Sequence, residues 1–267
     1  MKKIYILLAA ISSCFIFSSC NIKTQFTTPE WNKCTKSSNW HGSNASWRIM
    51  NIVSPNMPDA VFNERVNFAK GRGVNCFHLL IANKADGEYA KYSIYGSNFD
   101  WSIDENYVNI MINRIKKLRN EGFGIVLWLI ADDSSDYAKQ IAANPKQYVN
   151  DLDKYGFFKY ASTVCLGLEM NEYWNANQVN AICLAVKSKY SGKIATHHTS
   201  NNAAFVGFGD ILFYQIEPTS DQNVVKNACK KALSYGKPVN FFESYRQENR
   251  KNCETAFATG CYAVGNW

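Results

Sequence analysis

The chain has 267 residues, of which 46% are hydrophobic, 14% aromatic and 19% charged, and that balance excludes disordered, collagen-like and coiled-coil classes. A formal charge of +7, from 29 Lys plus Arg against 22 Asp plus Glu, argues weakly for nucleic acid, and no basic run or RNA-binding motif supports such a partner. Length alone admits one domain or two, because single α/β barrels reach about 250 residues.

Met1 to Cys20 joins a basic start (Lys2, Lys3) to an apolar stretch from Ile4 to Phe17, followed by Ser18, Ser19 and Cys20. The stretch is shorter than the ~20 residues that cross a bilayer, so it reads as an export signal and stays outside the fold. Small residues before a cysteine resemble a bacterial lipoprotein box. That resemblance implies cleavage before Cys20, lipidation of its thiol and a tether through Asn21, Lys23, Thr24 and Gln25; plain secretion is the other reading. The expected division is a signal over 1–19, a tether and barrel-capping segment over 20–47, and one folded domain over 48–267. The expected location is the cell envelope, at the outer membrane or cell surface, with membrane contact only through the lipid anchor, or outside the cell.

Beyond Cys14 and Cys20 lie Cys34, Cys76, Cys165, Cys183, Cys229, Cys253 and Cys261. Export permits disulfides, but an odd count leaves at least one thiol unpaired within a monomer. Cys76 and Cys165 fall inside apolar runs, where a free cysteine acts as a small hydrophobe. No cysteine or histidine spacing matches a zinc site, and neither metal nor cofactor is expected.

Eight short apolar runs follow in order: Ile49 to Val53, Cys76 to Ala82, Ile125 to Ala131, Thr163 to Leu168, Lys193 to His197, Ile211 to Ile216, Val239 to Phe242 and Cys261 to Val264. Continuous apolarity suits strands covered on both faces, hence a parallel sheet with helices outside it. Between them, Val108, Met111, Ile112, Ile115 and Leu118 share one helical face, with Ser102 and Glu105 as the expected capping box and Gly122 as the stop. Val179, Ile182, Cys183 and Val186 repeat the spacing, as do Val224, Val225, Ala228, Cys229 and Ala232. Eight βα units without an early Gly-rich phosphate loop fit a compact α/β fold of the (β/α)8 TIM-barrel type. The chain stops at Trp267 directly after the eighth run, so either the final helix is lacking or Phe26 to Trp47 covers its place.

Active sites of such barrels lie at the C-terminal ends of the strands. Two carboxylates there can cleave a glycosidic bond, one protonating the leaving oxygen and the other attacking the anomeric carbon. Glu172 and Glu243 are the pair most nearly opposed. Val164 to Glu172, ending in Asn171-Glu172, resembles the fourth strand of the clan A retaining glycoside hydrolases, the cellulase- and mannanase-like barrels. Lys237 to Ser244 resembles their seventh strand. The resemblance implies Glu172 as general acid/base, Asn171 as the partner of the sugar 2-hydroxyl, Glu243 as nucleophile, and Trp267 as the platform on which the sugar stacks. It also implies a polysaccharide or oligosaccharide substrate. His78 stands where the clan usually carries an arginine beside the nucleophile, Tyr173 replaces a frequent proline, and the third strand ends in Asp132-Asp133 without the histidine common in cellulases. Further expected sugar contacts are His78 itself, His198, and Tyr214 as a donor to the nucleophile. Glu169 is either a third substrate contact or a buried ion-pair partner. Tyr89, Tyr92, Tyr95, Phe99 and Trp101 suggest a cleft wall or a cover for the barrel, Trp128 a core residue and Trp174 a rim one. The expected protein is a monomeric hydrolase working by double displacement; the alternative is a non-catalytic surface glycan-binding lipoprotein on a degenerate barrel.

Overall fold

A computed structural model describes residues 51–71, 76–84, 88–131, 136–198, 204–217, 219–241 and 249–263. Seven strands run through it: β1 (Cys76–Leu80), β2 (Gly124–Trp128), β3 (Thr163–Cys165), β4 (Lys193–His198), β5 (Ile211–Tyr214), β6 (Val239–Phe241) and β7 (Tyr262–Ala263). All pair in parallel, and their order in the sheet is their order in the chain. Helices fill the connections: α1 (Asp59–Gly71), α2 (Glu105–Asn120), α3 (Asp136–Ala143), α4 (Pro145–Lys154), α5 (Met170–Tyr173), α6 (Ala176–Lys187), α7 (Gln222–Leu233) and α8 (Asn249–Thr259). Sequential parallel strands with helices between them are the architecture of the (β/α)8 barrel.

Seven of the eight apolar runs are therefore strands. The described part of the first is not: Asn51 to Val53 form a turn, closed by the Ser54 N–H on the Asn51 carbonyl at 2.8 Å. Ile52 and Val53 are fully buried, so their apolarity reflects packing rather than a strand. The buried Arg114 on α2 ties this corner down, bonding the Ser54 and Met57 carbonyls and the Asp59 carboxylate.

The helical stripes lie as their spacing requires. Val108, Met111, Ile112, Ile115 and Leu118 are all buried on α2. The cap differs from expectation: Asp104, not Ser102, is the N-cap, and its carboxylate accepts from the Tyr107 N–H at 3.0 Å. Gly122 stops the helix at φ +92°, a left-handed turn that favours glycine. On α7 the stripe is narrower than expected, with Val225, Cys229 and Ala232 buried but Val224 facing solvent.

Alternation along the strands sorts the core into two layers. Leu80, Val126, Trp128, Cys165, Ala195, Ile211 and Phe213 point inward and pack together. The opposite parity meets the helices: Leu212, Tyr214 and Val239 pack with Val225, Cys229 and Ala232 of α7. The connection after β1 folds back through an antiparallel bridge between Asn83 and Tyr92. Its Tyr92, Tyr95 and Phe99 are buried, and Phe99 meets Tyr137 at 4.8 Å between ring centroids. These three belong to the core, with the half-buried Tyr89 and Trp101 packed against it. Trp174, expected at the rim, is buried as well.

Candidate active site

In barrels of this architecture the site lies at the end at which the strands stop, here the C-terminal ends of β1 to β5. Its floor is an inward-facing layer of rings. Trp128 lies 5.2 Å from His197 and 5.2 Å from Phe213, and His78 lies 5.8 Å from Trp128 and 5.7 Å from Phe213, centroid to centroid. The Trp128 indole N–H donates to His78 Nδ1 at 2.9 Å. An indole nitrogen is only a donor, so His78 must accept there and carry its proton, when neutral, on Nε2. Burial holds His78 down to about 3, because the charged ring would lose its hydration. His197 is likewise held well below the ordinary histidine range, first by burial and then by the nearby His198 and His78.

On this floor stands Glu169. After β3 the chain continues through Leu166 and Leu168, whose N–H groups bond the Ala195 and Ile130 carbonyls at 3.1 and 3.0 Å. It then turns sharply at Glu169, with φ 49° and ψ 33°. A left-handed conformation costs a non-glycine residue of order 1 kcal/mol and persists only where its surroundings enforce it. Two such contacts are present. The Glu169 backbone N–H donates to His197 Nδ1 at 2.8 Å, and its carboxylate Oε1 accepts from the Gln215 side-chain amide just beyond β5. The turn also needs Gly167, where a Cβ would lie 2.9 Å from Met170 Cγ. Glu169 is half-buried, and the buried Gln215 Oε1 and Asn240 Oδ1 are acceptors without a hydrogen-bond partner among the described residues.

The expected site residues are not all gathered here. Glu172 sits on the single turn of α5 and is exposed, and its N–H bonds the Glu169 carbonyl at 2.9 Å; Asn171 beside it is half-buried. His78 lies in the ring layer at 4% exposure. His198 and Tyr214 take the helix-facing parity. His198 Nε2 is 3.2 Å from Thr196 Oγ1, with its ring 6.1 Å from Phe205, while Tyr214 packs toward α7. Strand parity thus turns both away from the interior and brings in His197 and Gln215. Glu243, Trp267 and Cys20 lie outside the described residues. Among the described residues, no cluster of three or more His, Cys, Asp or Glu can hold a metal ion, and no helix is long and apolar enough to cross a membrane.

No protein-family model matches the chain, and a search of curated proteins finds no match. Solved structures do resemble it. A β-glycosidase from Pyrococcus horikoshii superposes with a TM-score of 0.56 at 11% identity, over 78% of this chain and 73% of that one. A GH113 β-1,4-mannanase gives 0.53 at 14% identity, over 77% and 81%. A glycoside hydrolase from Bacteroides vulgatus, described as putative, gives 0.53 at 12% identity, over 84% and 48%. At these identities the likeness is one of fold, and it places the chain among the (β/α)8 barrels.

Proposed function

We propose that the protein is a retaining β-glycoside hydrolase acting on a polysaccharide or oligosaccharide, with Glu169 as general acid/base and Glu243 as nucleophile. The supporting observation is Glu169, a half-buried residue just beyond β3 whose backbone N–H donates to His197 and whose carboxylate accepts from Gln215. The solved structures sharing the fold include proteins named β-glycosidase and β-1,4-mannanase, which agrees with this reading. In the first step Glu169 gives its proton to the glycosidic oxygen while Glu243 attacks the anomeric carbon, releasing the leaving sugar and forming a glycosyl ester. Water then attacks that carbon, loses a proton to Glu169 and frees Glu243. This route requires carboxyl groups about 5 to 5.5 Å apart.

Glu172 is three residues further along and faces solvent, so paired variants separate the two assignments. On a β-glycan panel that includes β-1,4-mannan, Glu169→Gln should lower kcat by about 10²- to 10⁴-fold. Glu172→Gln should leave it nearly unchanged, and Glu243→Ala should abolish turnover. The opposite order of the first two variants would return the role to Glu172.

The non-catalytic reading has one observation in its favour. His78, at the place where the resemblance has a cationic arginine, is kept neutral by burial and brings no charge. Glycan affinity with no turnover by the processed protein would establish that alternative. Lipidation of Cys20, and with it an envelope location, completes the proposal; the mass of the mature N-terminal peptide checks it.

A further inference from the structure

The Glu169 turn is held by contacts that do more than fill space. We infer that His197 and Gln215 are positioning residues, gripping Glu169 by its backbone and by one carboxylate oxygen so that its carboxyl is held in place for proton transfer. The inference rests on the acid/base reading of Glu169.

The two grips come from different strands. His197, the last but one residue of β4, takes the inward parity, and its Nδ1 accepts from the Glu169 N–H at 2.8 Å. That bond fixes the peptide whose left-handed φ of 49° sets the direction of the side chain. The imidazole is itself prevented from rotating, because Trp128 meets it edge to face at 5.2 Å and 67°, and Trp128 is anchored through its indole N–H to His78 on β1. Gln215, beyond β5, donates to Glu169 Oε1. Misplacing a proton-transferring group by ~1 Å can cost about 100-fold in rate.

His197 can act only while neutral, since an imidazolium has no acceptor. Burial maintains that state. An asparagine at this position can present its side-chain oxygen near the place of Nδ1, whereas phenylalanine keeps the ring and loses the acceptor.

The test has two arms. In the wild-type full chain labelled with ¹⁵N-histidine, the His197 signals should show a proton on Nε2, a bare Nδ1, and a coupling across the hydrogen bond to the Glu169 amide. A protonated Nδ1 overturns the inference whether or not any glycan is cleaved. In kinetics, His197→Phe and Gln215→Leu should each lower kcat about tenfold or more with KM within about twofold, while His197→Asn should recover most of the loss. Equal activity of the Phe and Asn variants, or a change confined to KM, overturns it. A protein that shows the expected tautomer but cleaves no glycan refutes the hydrolase reading and leaves the grip on Glu169 established.

Discussion

Two neutral histidines inside the barrel give the protein a titration signature of its own. An unfolded chain offers His78 and His197 at the ordinary value near 6.5, while the folded chain refuses protons at His78 until about pH 3 and at His197 until well below its ordinary value. Between those limits the unfolded state binds more protons, so stability is fully present above pH 6.5 and falls as pH drops toward 3. The limiting slope is about 1.4 kcal/mol per pH unit for each histidine. Thermal melts from pH 7.5 to 4 should show a steadily falling Tm, and His78→Gln should flatten part of that fall. Trp128→Phe acts at the same contact: it leaves the buried His78 Nδ1 without its donor, at an expected cost of about 1 to 3 kcal/mol by denaturant unfolding.

At the scale of elements, the β3–α5 connection joins fold to chemistry. Gly167→Ala places a methyl group 2.9 Å from Met170 Cγ and 3.2 Å from its Sδ, so the turn must open. We expect a loss of about 1 to 3 kcal/mol together with reduced turnover, read by urea unfolding beside activity on the same preparation. Asp104→Ala should cost about 1 kcal/mol through the lost N-cap of α2 and leave activity alone. Much of this level was legible in the residues. Apolar runs located seven strands, and the α2 stripe was correct to its last member, because both depend only on local periodicity and burial. The site was less legible. The strand ends at Cys165 and Leu168, of the opposite parity, packs with the inward layer, so alternation does not reach Glu169, and the Asn171-Glu172 motif drew attention past it. Counting alternate residues separates His197 from His198 and Gln215 from Tyr214 once one inward residue per strand is known. What no local pattern could supply was that inward reference, nor the burial that turns Asn51 to Val53 into a turn.

At the scale of the whole molecule, each described strand pairs with its neighbours in the chain, yet the ring layer does not obey that locality. His78 comes from β1, Trp128 from β2, His197 from β4 and Phe213 from β5. During synthesis, the sheet can therefore grow one strand at a time while its aromatic floor waits for a late arrival. A nascent chain that has delivered β1 to β4 still exposes the Trp128 and His78 faces that Phe213 will cover, and such uncovered surface attracts chaperones and other chains. In a series of ribosome-arrested lengths, protease resistance of the early strands should rise only after β5 has emerged. The ring layer thus ties residues of the first two strands to residues that the chain supplies only with its fourth and fifth.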